Sequence, residues 1–79
     1  MMETKSVVEE IVKELVDNPD GVVVEEIKTS STVVINIKVV EGDLGKIIGK
    51  KGRIIGALRT IFGSIYAKDG IKAIIEVND

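Results

Sequence analysis

The stretch Ile47-Ile48-Gly49-Lys50-Lys51-Gly52-Arg53-Ile54-Ile55-Gly56-Ala57-Leu58 sets two glycines around two lysines, with apolar residues on both flanks. Upstream, Leu44 to Ile48 suffices for one short helix, and Asp43 stands where an N-cap belongs. Gly49 ends that helix. A second helix starts near Gly52 and continues to about Ala67, with Ile54, Leu58, Ile61 and Ile65 spaced as a core stripe and Ile55, Phe62 and Tyr66 widening it. Neither glycine of the link carries a Cβ, so the backbone can turn sharply there and another chain can approach closely. The link also delivers its ligand to a helix start, where unpaired N–H groups and the positive dipole end attract phosphate. Lys50 and Lys51 add positive charge at the same place.

Outward from this motif, the first third of the chain predicts a helix to about Asp17, with Val7, Val8, Ile11, Val12, Leu15 and Val16 at helical spacing. Ser6 followed three residues later by Glu9 reads as its capping box. Asn18-Pro19-Asp20-Gly21 stops it, since Pro19 disfavours helix at the residue before it and Asp-Gly supplies a turn. Val22 to Lys28 is a strand, Thr29-Ser30-Ser31-Thr32 a hairpin link, and Val33 to Val40 a second strand with six β-branched residues in eight. These two strands pair antiparallel. Val33, Ile35, Ile37 and Val39 share one face, while Asn36 and Lys38 point away. After the closing turn Lys68-Asp69-Gly70, Ile71 to Val77 forms the last strand, parallel to the second if the two are neighbours. The fold class is therefore α+β, in the order α-β-β-α-α-β, with a three-stranded mixed sheet and helices packed on one face. Seventy-nine residues make a single domain, 1–79.

The net charge of -2 conceals an asymmetry. Between Gly45 and Lys68 lie six bases, Lys46, Lys50, Lys51, Arg53, Arg59 and Lys68, and no acid; the remainder holds five bases and all thirteen acids. One surface is thus built for an anionic partner, and others stay soluble by acidity.

The motif resembles the KH domain, whose signature is an apolar pair, a GXXG loop that clamps a four-nucleotide backbone segment, and apolar positions at helical spacing. Ile47 and Ile48 match the pair, Gly49 and Gly52 the clamp, and Ile55 and Leu58 the helical positions. The element order resembles the type II KH variant. Gly45-Lys46 and Ala57-Leu58-Arg59-Thr60 are similar to the small single-KH RNA-binding proteins of bacteria, the KhpA family. The resemblance implies a non-catalytic module that binds single-stranded RNA in a groove beside the GXXG loop and acts as an RNA chaperone or post-transcriptional regulator. Carried onto this chain, the RNA-binding residues are Lys46, Ile48, Gly49, Lys50, Lys51, Gly52, Arg53 and Ile55. Ile47 is a further candidate for the groove floor, and Asn36 and Lys38 reach base edges if their strand borders the groove. The resemblance also supports a homodimer and a second KH-containing protein as partners. The alternative is a protein-interaction module of KH shape whose basic block docks an acidic partner.

Other chemistries start badly. Without Cys or His there is no thiolate nucleophile, no imidazole base and no cysteine zinc site, so neither catalysis, a metal nor a cofactor is expected. The spacing of Gly45, Gly49 and Lys50 falls one residue short of a Walker A loop, and Gly42, Gly45, Gly49 and Gly52 never fall as G-x-G-x-x-G. Phe62 and Tyr66, the chain's two aromatics, sit late in the second motif helix, so there is no base-stacking platform. Gly56, Thr60, Gly63, Ser64 and Ala67 make a face of small residues that would admit another helix in a symmetric dimer. With no apolar export core near Met1 and no run of about 20 apolar residues, no membrane association and a cytoplasmic location are expected.

Overall fold

The alternation of the second strand organises the molecule. In the computed structural model, which describes residues 3–79, Val33, Ile35, Ile37 and Val39 all turn to one side and are buried. The elements are α1 (Thr4–Leu15), β1 (Val23–Lys28), β2 (Thr32–Lys38), α2 (Leu44–Ile48), α3 (Arg53–Ala67) and β3 (Lys72–Asn78). Single 3-10 turns occupy Pro19–Gly21, Glu41–Asp43 and Lys50–Gly52. The sheet order is β1-β2-β3, with β1 antiparallel and β3 parallel to β2. The expected α+β arrangement of six elements and a mixed sheet is the one observed.

Register explains the core. Val33, Ile35 and Ile37 lie opposite Ala73, Ile75 and Val77 of β3. That row meets Val8 and Val12 of α1, Ile47 of α2, and Ile55, Leu58 and Phe62 of α3, all buried. The helices cover this face alone. Asn36 and Lys38 lie on the other, as alternation predicts, and Asn36 Oδ1 accepts from Asn78 Nδ2 at 2.9 Å. Because β3 lies between β2 and the free edge, the strand of Asn36 does not border the outer groove described below.

Local readings shift in four places. α1 begins at Thr4 behind Glu3, without a side-chain cap. Ser6 is therefore inside the helix, and Glu9 pairs with Lys13 at 3.0 Å instead of reaching back. No Gly or Pro before Ser6 halts the helix, so extending it gains backbone hydrogen bonds. At its other end, α1 stops at Leu15 because the amides of Asp17 and Asn18 donate to the Asp43 carboxylate, at 3.2 and 3.0 Å. Asp43 accordingly caps nothing in α2. It joins two segments about 25 residues apart and is 2% exposed. Finally, the buried stripe of α3 is Ile55, Leu58 and Phe62, whereas Ile61 is 54% and Ile65 44% exposed. The apolar residues of α3 span more of the helix than a three-stranded sheet covers, and spacing alone does not say which part it takes.

Candidate nucleic-acid interface

Gly49 adopts φ 75 and ψ 172, a region open essentially to glycine. A Cβ there would stand 2.7 Å from Ile54 Cγ1, so α3 packs directly beneath the loop. Glycine is demanded at this position by the protein's own packing. Gly52, at φ 73, differs: its nearest neighbour to a built Cβ is Ile55 Cγ2 at 3.9 Å, which leaves the outer side open to a ligand. Lys51 between them is itself left-handed, at φ 56, so three of the four loop residues have positive φ. The result is a tight corner that pushes both lysine side chains outward.

The loop's amides are partly spent. Gly52 N donates to Gly49 O at 3.1 Å, and Arg53 N donates to Lys50 O, closing the 3-10 turn. The open helix start expected from sequence is reduced accordingly, and the amides of Lys50 and Lys51 are not among the turn's donors. The side chains carry the larger share of the positive field. Lys50, Lys51 and Arg53 are exposed and form no ion pair among the described residues.

Lys46 stands apart from that set. Its Nζ lies 3.2 Å from Asp17 Oδ2 and 3.8 Å from Asp43 Oδ1. Burial opposes ionisation of Asp43, but the amides of Asn18 and Asp17 and the Lys46 ammonium outweigh it, holding the carboxyl below its ordinary range. Lys46 thus neutralises a buried anion while lying only three residues from the loop.

Beside the loop, α2, α3 and the edge of β3 enclose a groove of about 440 Å³ lined by Ile48, Ile55, Arg59, Glu76 and Val77. Ile48 and Ile55, both singled out from sequence, form its apolar floor. Ile47 does not reach it, being fully buried in the core. Sequence reasoning missed three members. Arg59 follows Ile55 by one helical turn, a spacing that would have found it. Glu76 and Val77 arrive only through the parallel pairing of β3, which no local pattern specifies. The Arg59 guanidinium lies against the strand edge, where Nε and Nη2 both donate to Ile75 O at 3.2 and 3.1 Å. Aromatic rings take no part: Phe62 is buried, and the Tyr66 hydroxyl donates to Glu26 Oε2 at 2.8 Å.

A glycine-bounded cationic corner between two helices, opening on an apolar groove at a parallel strand edge, defines a KH-type module. The chain matches the KhpA/KhpB KH-domain family over residues 5–77. Among its relatives, the RNA-binding protein KhpA of Aquifex aeolicus is 49% identical over 77 residues, 98% of each chain. The KhpA protein of Caldanaerobacter subterraneus is 44% identical over 70 residues, 89% of this chain and 93% of that one. That of Chlamydia trachomatis is 43% identical over 67 residues, 85% and 86%. The chain belongs to the KhpA/KhpB KH-domain family.

Proposed function

We propose that this protein is a non-catalytic binder of single-stranded RNA, acting as an RNA chaperone or post-transcriptional regulator, with the sugar-phosphate chain held at Gly49–Gly52. The observation that carries this reading is the set of three exposed cations, Lys50, Lys51 and Arg53, without an ion pair among the described residues, at a corner that opens on a groove floored by Ile48 and Ile55. The name of the relatives, RNA-binding protein KhpA, agrees with it. Phosphates sit at the loop and bases lie over the groove. Without aromatic stacking, affinity rests on charge and shape.

Binding of a labelled single-stranded RNA by the native chain and by the Lys50→Asp/Lys51→Asp variant tests the proposal. The expected loss is roughly 100-fold or more, since two phosphate contacts become repulsive. Both lysines are exposed, so the thermal midpoint stays nearly unchanged. Equal RNA affinity in the variant would favour the docking of an acidic protein partner instead.

The same proposal includes a homodimer through the outer face of α3. Ile61 and Ile65 are exposed beside Ala57, Thr60 and Ser64, and small neighbours let a second helix approach them. Light scattering that shows only monomer at high micromolar concentration would dispose of it. A second KH-containing protein is the proposed heterologous partner. The proposed location is the cytoplasm; no helix among the described residues is long and apolar enough to cross a membrane.

A further inference from the structure

We propose that Asp43 is a positioning residue for the RNA-binding loop: its carboxylate locks the start of α2 to the end of α1 and so holds Gly49–Gly52 in the binding pose. The inference rests on that loop being the RNA site. Asp43 is the one buried polar or charged side chain among the described residues, a costly placement for an anion. The cost is offset by the amides of Asp17 and Asn18, which donate to its two oxygens at 3.2 and 3.0 Å. Lys46, one turn along α2, doubles the link by reaching Asp17 Oδ2 at 3.2 Å and Asp43 Oδ1 at 3.8 Å. None of these four residues lines the groove.

α2 has five residues, far fewer than a helix needs to persist alone, and Gly45 weakens it further. Its pose must therefore be imposed from outside. Ile47, fully buried, sets where the helix sits, but apolar burial has no direction and lets the helix pivot. The hydrogen bonds to Asp43 supply a second fixed point, with direction. At the far end, Gly49 N donates to Gly45 O at 2.9 Å, so the first loop residue hangs on α2. Ile48 of the groove floor belongs to the same helix. Six residues, about 9 Å at the helical rise, separate Asp43 from Gly49. A tilt allowed at Asp43 thus displaces both the loop and the floor.

Fluorescence anisotropy with a labelled single-stranded oligouridylate compares the full native chain with Asp43→Asn at a temperature where circular dichroism shows both fully folded. The charge change alone would tighten binding, because an anion is removed and Lys46 is partly released. A role in stability alone would leave the affinity of the folded variant unchanged. Positioning predicts the opposite sign: about tenfold weaker binding, as expected when the competent pose is populated about one-tenth of the time. Equal or tighter binding by the folded variant overturns the inference.

Amide hydrogen exchange on the native chain decides the matter should the variant fail to fold. Coupling between anchor and loop is reciprocal, so saturating RNA is expected to slow exchange at Asp17 and Asn18 by a similar factor. Unchanged rates at those two amides, in a chain that binds the RNA, overturn the inference. In either adverse case, loss of binding in Lys50→Asp/Lys51→Asp shows that the RNA site stands without the anchor. No RNA binding by the native chain removes both.

Discussion

Two four-residue links in this protein, Thr29–Thr32 and Gly49–Gly52, reverse the chain and put their hydrogen-bonding capacity to opposite uses. The hairpin link closes on itself. Thr29 N and Oγ1 both donate to Thr32 O, Thr29 Oγ1 accepts from the amides of Ser31 and Thr32, and Ser31 O accepts from Lys72 N at the start of β3. The glycine link makes its turn with the amides of Gly52 and Arg53 and leaves its two lysines and Arg53 facing solvent. A turn whose polar groups are consumed internally stabilises a fold, whereas one that retains donors and charge is available to a ligand.

The two glycines offer the strongest way to break this contrast. Gly49→Ala is expected to cost about 3 kcal/mol, combining a glycine-only backbone region with overpacking against Ile54. Gly52→Ala, with free space around its Cβ, costs about 1 kcal/mol for the left-handed conformation alone. Denaturant unfolding of both variants checks the difference, and equal losses would mean that Ile54 yields at no cost. In the hairpin, Thr29→Ala should lose about 1 kcal/mol of stability with RNA affinity unchanged, the reverse of the lysine variant. An altered affinity would show that the hairpin also touches the ligand.

Asp43 sharpens the comparison through acid unfolding. Its folded-state carboxyl titrates below the ordinary range, so its stabilising effect is present above the unfolded-state value and is lost as pH falls through the folded one. Asp43→Asn should therefore lower the thermal midpoint at neutral pH, with the gap from the native chain closing in acid. A gap that stays constant with pH would locate the effect in geometry rather than charge. The smallest expected effect separates Lys46 from the loop lysines. Three neutralised phosphates predict a log K against log salt slope of roughly 2 for single strands, and Lys50→Ala should reduce it by about 0.7. Lys46→Ala should leave the slope nearly unchanged, because that ammonium already serves Asp17 and Asp43. Equal slope changes would return Lys46 to the RNA interface.

How legible each feature was depended on how local its cause is. The helix from Leu44 to Ile48 is bounded by Gly49, and β2 is marked by strict alternation, so both were readable from their own residues. Ser6 and Glu9 had the spacing of a capping box, but spacing does not register that the preceding residues also gain bonds by becoming helical. Asp43 illustrates the same gap at longer range. Its side chain suits an N-cap, yet two amides from the end of α1 satisfy it better once tertiary packing brings them within reach.

Sequence alone determined the order of elements, the antiparallel hairpin, the glycine-bounded cationic corner and the segregation of charge, because each depends on residues within a turn or two of one another. Tertiary structure decided which part of α3 is buried, which lysine is already engaged, and which residues of β3 complete the groove. Those outcomes depend on packing between segments distant along the chain, where one shared core selects among faces and partners that local chemistry leaves equally open.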